Sequence, residues 1–352
     1  MQIEAWTVHE PRAPMSLASR DEAPAADEVL VRVAGCGVCH TDLGFFYDNV
    51  PTRHSLPLTL GHEISGRVEA AGPGAEAWVG RAVIVPAVIP CGRCEACLAG
   101  RGSVCPLQIF PGNDVHGGFA THVRVPAQGL CAVPEARLAA AGLDLASLSV
   151  IADAVTTPYQ AILRSQLGEG DLAIFVGVGG VGGFGVQLAK AMGAKVVAID
   201  VDAERLRLLA AHGADLTLNA RELDFSSLRR RIRAFGDEHH VPGFRRKVYE
   251  TSGTTVGQTT AFGLLEQGGY LSVVGFTPEK VTLRLSNVMA LDATVQGNWG
   301  CLPEHYPAVL DLVLAGKVAL APFLEQRPLA SINTTFADLH AHRVRRRVVL
   351  VP

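Results

Sequence analysis

The sequence predicts an α/β chain of two domains, a β-rich one followed by a doubly wound parallel sheet. Three observations carry that prediction. At 352 residues, with 48% hydrophobic and 18% charged side chains, the chain is long enough and apolar enough for two cores. Roughly the first 130 residues break at Gly and Pro into short strand-like runs. From near residue 170, strand and helix alternate instead.

Taken in order, the early strand candidates are EVLVRVAGCGVC (28–39), GRVEAAG (66–72), RAVIVPAVIP (81–90) and FATHVRVPA (119–127). Then come AIFVG (173–177) and KVVAID (195–200), continuous apolar runs such as strands buried on both faces require. LTLN (216–219), KVYETSG (247–253) and YLSVVGF (270–276) continue the parallel sheet, with helical stretches between them. After about residue 297 the pattern changes to a helix, PEHYPAVLDLVLAGK (303–317), and a closing basic strand, RRRVVLVP. There is no internal repeat and no low-complexity tract.

The formal net charge of −3 gives no electrostatic case for nucleic acid or a membrane surface. The arginines of LRRRIRAF (228–235) and of the closing strand read as solvated faces. MQIEAWTVHEPR carries acids and a proline and no long apolar stretch, so no signal peptide is expected. No uninterrupted apolar run reaches the roughly 18 residues of a spanning helix. A cytoplasmic protein with reduced thiols is the expectation.

The chemistry-bearing motifs start at a glycine-rich turn. Gly177, Gly179 and Gly182 form G-x-G-x-x-G between a predicted strand and a predicted helix, with Gly180 and Val181 inside the motif. Such a turn brings backbone amides to a pyrophosphate at the positive end of a helix. Asp200 ends the next strand, 23 residues after Gly177, where an acid binds adenosine ribose hydroxyls and repels a 2′-phosphate. The pair of features predicts NAD in preference to NADP.

Cys36 and Cys39 are spaced C-x-x-C, which suits a redox pair or half a zinc site. His62 and Glu63 follow in LGHEISG. A cysteine and a histidine far apart in a β-rich domain suit a catalytic zinc with three protein ligands and one open position. Cys91, Cys94, Cys97 and Cys105 are C-x2-C-x2-C-x7-C, enough thiolates to close a tetrahedral structural zinc site; an iron–sulfur cluster is the competing occupant.

With these motifs in hand, the chain resembles the zinc-dependent medium-chain alcohol dehydrogenases over essentially its whole length. CGVCHTDL, GHEISG, the four-cysteine lobe, GGFATHVRVP, GVGGVGG and RRVVLVP carry the resemblance. It implies a GroES-like catalytic domain over 1–154, completed by 298–352, and a Rossmann NAD-binding domain over 155–297, with the active site between them. It also implies two zinc ions per chain, one catalytic and one structural. Cys39 and His62 then match catalytic zinc ligands, Glu63 the neighbouring acid, and Asp42 the carboxylate that orients the histidine. His40 and Arg347 match pyrophosphate contacts, Thr41 the hydroxyl that takes the alcohol proton, and Thr157 a nicotinamide contact.

There are two departures from the family pattern. Many relatives have a cysteine as third zinc ligand, and the matching residue in SVIADAVTTPYQA is Asp153. A carboxylate keeps the charge but donates less electron density, which makes a stronger Lewis acid; the alternative is Glu63 as third ligand. Gly44 stands where many relatives have a proton-relaying histidine, so proton release needs water or another group.

Within the family, FFYDNVPTRHSLPLTLGHEISG, PGNDVHGGFA and LSNVMALDATVQGNWGCLPE look close to the subgroup that oxidises 6-hydroxycyclohex-1-ene-1-carbonyl-CoA in anaerobic benzoyl-CoA breakdown. That resemblance implies an acyl-CoA substrate, with Arg245, Arg246 and Lys247, or Arg343, Arg345 and Arg346, as candidate phosphate partners. It also suggests a secondary addition of water to the enone product, with Glu63 as base. A zinc alcohol or polyol dehydrogenase acting on a non-CoA alcohol is the alternative in the same class. Zinc-free quinone-reductase-type and non-catalytic NAD-binding proteins are the alternatives outside it. A homo-oligomer is expected, a tetramer before a dimer.

Overall fold

In the computed structural model, which describes all 352 residues, the chain folds into two units. The first takes Met1–Thr156, Gly300–Gly316 and Leu320–Pro352; the second takes Thr157–Trp299 with Lys317–Ala319. The architecture is mixed α/β, as the sequence predicts.

The first unit holds β1 (Gln2–Thr7), β2 (Ser16–Asp21), β3 (Glu28–Gly37), β4 (Glu63–Ala71), β5 (Ala82–Val85), β6 (His122–Pro126) and β7 (Cys131–Ala132). The second holds β8 (Leu172–Val176), β9 (Lys195–Asp200), β10 (Leu216–Asn219), β11 (Arg246–Glu250), β12 (Tyr270–Val273) and β13 (Thr294–Gly297). The chain then returns to the first unit for β14 (Leu324–Pro328) and β15 (Arg347–Val351).

β1 and β2 form a two-stranded sheet, with β1 bridged at Ala5 to Ala120, and the seven-stranded sheet runs β14-β15-β3-β4-β5-β7 with β6 also on β3. Alternation of buried and exposed residues is clean in β1, whereas β5 is buried throughout. The core between these strands gathers Val31, Ile64, Val83, Phe119, Phe336 and Val348. β1, β2 and β14 lie outside the strand candidates read from sequence. The polar, half-exposed segments of β2 and β14, SLASRD and LEQRP, carry little apolar signal and are strands because a partner strand pairs with them; β1 carries the alternation of a strand and was missed.

In the second unit the sheet order is β10-β9-β8-β11-β12-β13, every neighbour parallel. Chain order reverses between β8 and β11, the place where open parallel sheets bind ligands. β8 is completely buried, and β13 is a short, mostly exposed edge that the sequence reading missed. No helix of the chain is long and apolar enough to cross a membrane.

Candidate functional site

The first candidate centre is built on four chain segments of the first unit. The helix His40–Tyr47 starts from Cys39, whose extended backbone (φ −102°, ψ 155°) makes it the N-cap. Asp42, fully buried, accepts from the Cys39 amide at 2.9 Å and from the Gly61 amide at 3.1 Å. Its Oδ1 also stands 3.4 Å from His62 Nδ1. One carboxylate therefore ties the helix start to the turn that delivers His62.

Glu63 begins β4 directly opposite Gly37 of β3. A β-carbon at Gly37 would come within 2.1 Å of Glu63 Oε2, so only glycine lets this acid turn inward. Asp153 terminates the 3₁₀ segment Ala146–Ala152. Its Oδ2 lies 3.6 Å from His62 Nε2 and 3.7 Å from Cys39 Sγ. Tyr306 was not singled out from sequence, yet its buried hydroxyl donates to the Ala152 carbonyl and accepts from the Ala87 amide, fixing the segment that ends on Asp153. Only its place in a helical pattern is legible in the sequence, so nothing local signals the role.

Ligand atoms of Cys39, His62, Glu63 and Asp153 all fall within 4.8 Å of one another. Both ring nitrogens of His62 are buried without a hydrogen-bond partner, an arrangement that native proteins avoid unless something else satisfies them. Burial works against a charged His62, but Asp42, Asp153 and Cys39 raise its pKa well above the ordinary value. A thiol, an imidazole and a carboxylate converging in this way fit a zinc ion with an open position.

Glu63 is held differently from Asp153. Arg347 Nε donates to its Oε2 at 2.7 Å and Nη2 donates to its Oε1, with both side chains buried. Burial pushes the Glu63 pKa up while Arg347 pulls against it. Asp153 instead turns its Oδ2 towards Cys39 Sγ and His62 Nε2. Arg347, matched from sequence to a pyrophosphate contact, spends two of its five N–H donors on Glu63 and keeps Nη1 and the second Nη2 hydrogen.

Thr41 Oγ1 lies 3.6 Å from Cys39 Sγ, and His40 is exposed at the head of the same helix. An apolar wall of Ala87, Val88 and Phe110, with Phe45 against it, adjoins the ligand set; the Phe110 and His62 rings are 4.8 Å apart. Gly44 leaves no proton-accepting side chain on the helix at its position.

The four-cysteine lobe is a second centre. Its sulfur atoms lie 4.0 Å (Cys91–Cys97), 3.5 Å (Cys94–Cys97) and 3.6 Å (Cys94–Cys105) apart. Four thiolates around zinc at about 2.3 Å would be separated by about 3.8 Å, whereas a disulfide needs about 2.05 Å. None of the eight cysteines is in a disulfide. Backbone amides, first that of Arg93, bring the Cys91 thiol down to about 6, whereas burial and the neighbouring Cys94 and Cys105 push Cys97 up to about 12. The cluster thus holds thiolate and thiol side by side until a metal displaces the remaining protons.

In the second unit, Gly177 takes φ +85°, and a β-carbon there would lie 2.4 Å from Ser252. The helix Gly180–Ala191 starts from Gly179, so Gly180, Val181 and Gly182 form its first turn. Asp200 Oδ2 accepts from the Val178 amide at 2.8 Å, and Oδ1 accepts from Val201 and Asp202 at 2.7 and 2.9 Å. Three of about four acceptor positions are thus occupied, leaving one for a ligand hydroxyl. Arg205, which the sequence reading missed, lies with Nη1 at 4.0 Å from the open side of Gly179, and its buried Nε has no partner. Thr157 is buried and its carbonyl accepts from Asn298 at 3.1 Å.

Of the cations proposed for phosphate groups, Arg245, Arg246, Lys247 and Arg343 are engaged by protein acids. Arg245 and Lys247 donate to Asp171, and buried Arg246 donates to Glu266, Asp237 and the Val241 carbonyl. That expectation is corrected by the packing, since sequence shows a cation but not the acid folded against it. Arg343 is held by Asp338.

Two family models match the chain: the alcohol dehydrogenase GroES-like domain over residues 25–135 and the zinc-binding dehydrogenase over 180–315. An alcohol dehydrogenase of Geobacillus stearothermophilus is 31% identical over 325 residues, covering 92% of this chain and 91% of that protein. Among solved structures, galactitol-1-phosphate dehydrogenase from Escherichia coli superposes with a TM-score of 0.88 at 26% identity, covering 99% of this chain and 100% of the other. A cobalt- and zinc-bound thermostable alcohol dehydrogenase from Pyrobaculum aerophilum gives 0.85 at 25% identity, with full coverage of both chains (100% each).

Proposed function

The chain belongs to the zinc-dependent medium-chain alcohol dehydrogenase family, and on that premise we propose that it oxidises a cyclic secondary alcohol with NAD. The observation that carries this reading is the convergence of Cys39 Sγ and Asp153 Oδ2 on the buried His62 Nε2, which has no hydrogen-bond partner. These three residues would hold the catalytic zinc, and Cys91, Cys94, Cys97 and Cys105 the structural one. When bound, zinc supplies Lewis-acid polarisation of the alcohol oxygen and NAD supplies the hydride acceptor.

The rest is done by the chain. Asp42 keeps the His62 ring aimed, Thr41 takes the hydroxyl proton, and Phe110, Ala87 and Val88 exclude water from the reacting carbon. With glycine at position 44, the proton leaves through water or through exposed His40. Gly177, Gly179, Gly180, Val181 and Gly182 would receive the pyrophosphate, with Asp200 and Arg205 on the adenosine side. The edge of β13, exposed at Val295, is an unpaired row of backbone groups and supports self-association.

For the substrate we favour 6-hydroxycyclohex-1-ene-1-carbonyl-CoA, on the strength of the sequence resemblance, with exposed Arg346 beside the closing strand as the candidate phosphate partner. Water addition to the enone with Glu63 as base has weaker support, because Arg347 binds both Glu63 oxygens. The test is an NAD-reduction screen of cyclic hydroxyacyl-CoA esters against free alcohols and polyol phosphates, repeated with NADP. We expect the highest kcat/KM for the cyclic thioester with NAD. Turnover of free alcohols alone would leave a non-CoA dehydrogenase, and no turnover at all a non-catalytic NAD-binding protein.

A further inference from the structure

Where chain order reverses in the parallel sheet, Glu250 ends β11 level with Val176 of β8 on one side and Val273 of β12 on the other. The residue is 1% exposed. Its Oε1 accepts from the Ser252 amide (2.8 Å), the Ser252 hydroxyl (2.6 Å) and the Gly253 amide (3.1 Å). Its main-chain carbonyl accepts from the Val274 and Gly275 amides at 2.9 and 3.0 Å. Three donors on one oxygen suit an ionised acceptor, whose hydrogen bonds are the strong ones. Oε2 lies against Gly275, where a β-carbon would come within 2.7 Å of it, and has no hydrogen-bond partner. Burial pushes the Glu250 pKa up, and the Ser252 and Gly253 donors pull against the rise. A buried carboxylate with one oxygen unmet costs stability, so its presence here asks for a role beyond packing.

What Oε1 holds shows the role. It closes the loop Thr251–Gly253, and that loop packs on the glycine-rich turn. Thr251 donates twice towards it, from its amide to the Val176 carbonyl at 2.9 Å and from Oγ1 to the Gly177 carbonyl at 2.5 Å. A β-carbon at Gly177 would collide with Ser252, and one at Gly182 would come 2.5 Å from Thr251 Oγ1. The first and third glycines of the motif therefore rest on residues that Glu250 fixes. Gly179, between them, is clear of the loop. Amides that meet a charged ligand must be held within about 0.5 Å of the productive geometry, and the residues behind them do the holding.

We propose that Glu250 is a positioning residue for the cofactor: its carboxylate sets the Thr251–Gly253 loop, and the loop sets Gly177 and Gly182 so that the amides of the turn meet a pyrophosphate. This role rests on the reading that the glycine-rich turn holds NAD.

The test is titration of the full-length protein with NADH and with ADP-ribose, which carry the pyrophosphate, and with adenosine, which lacks it. Glu250→Gln keeps an acceptor at Oε1 without the charge, and Glu250→Ala removes both. The Kd for NADH and ADP-ribose should rise about threefold in Glu250→Gln and about tenfold or more in Glu250→Ala, the loss of one hydrogen bond to a charged group. Stoichiometry and adenosine affinity should stay as in the wild type. Thr251→Val and Ser252→Ala each remove one hydroxyl from the same relay with less disturbance of the fold, and both should weaken ADP-ribose. In the Glu250→Ala background Ser252→Ala should add nothing, because the two act in series. Fewer binding sites at the wild-type Kd would mean that Glu250 only maintains the fold. Equal weakening of adenosine and ADP-ribose would mean a general loosening of the unit. Either result, or additive effects of Glu250→Ala and Ser252→Ala, overturns the assignment. A wild type that binds neither ADP-ribose nor NADH would instead refute the cofactor reading of the turn, and the role of Glu250 with it.

Discussion

Asp153 and Glu63 are both acids within reach of His62, and their other contacts separate them. Asp153 Oδ2 faces Cys39 and His62, while Glu63 is neutralised by Arg347 across 284 residues of chain. We therefore predict that Asp153→Ala lowers zinc at the catalytic centre and leaves the cysteine lobe loaded, so that metal analysis falls from about two ions per chain towards about one. Glu63→Gln should retain both ions. Full zinc occupancy in Asp153→Ala would transfer the ligand role to Glu63.

Among the elements, β11 shows how the fold redirects a motif that looks functional in sequence. Its arginines and lysine resemble a phosphate site, but Asp171, at the start of β8, accepts from Arg245 Nε at 2.7 Å, Lys247 Nζ at 2.8 Å and the Gly168 amide at 2.9 Å. Burial opposes ionisation of Asp171, yet Lys247, Arg245 and the Gly168 amide hold its pKa below the ordinary 3.8. A carboxylate with a depressed folded-state pKa stabilises the fold above the unfolded value, and that contribution is lost as pH falls through the folded value. Asp171→Asn should cost about 1–3 kcal/mol at neutral pH, the range for removing one member of a partly shielded, hydrogen-bonded charge pair. Urea unfolding at a series of pH values should show the gap between wild type and variant closing below about pH 3.8. A gap independent of pH would mean that packing, and not charge, was lost.

For the whole molecule, metal content and stability are linked through the first unit. The lobe from Cys91 to Cys105 has only the short helices Glu95–Leu98 and Gly102–Val104, with Leu98 and Val104 exposed, so little apolar burial holds it together. Four thiolates on one ion can supply that cohesion. Cys94→Ser should remove one zinc of two, lower the Tm and increase proteolysis within the lobe, while the ion at Cys39 and His62 remains. Retention of two ions per chain by this variant would refute the structural-site assignment.

How much was legible depended on how local each feature is. The two-domain α/β class follows from period and punctuation: β8 and β9 are apolar throughout because both faces are covered, and Gly177 and Gly182 stand where a strand turns into a helix. The four-cysteine spacing lies within one loop, so chain connectivity alone keeps those sulfurs close. β2, β13 and β14 were not legible, because polar edge segments become strands only when a partner offers hydrogen bonds. The engagement of Arg347 with Glu63, the hold of Tyr306 on Ala152 and the capture of Arg245 and Lys247 by Asp171 are also tertiary decisions. A sequence determines which charges and donors exist and where the chain must turn; which acid meets which base across hundreds of residues is decided only when strands distant in sequence become neighbours in a sheet.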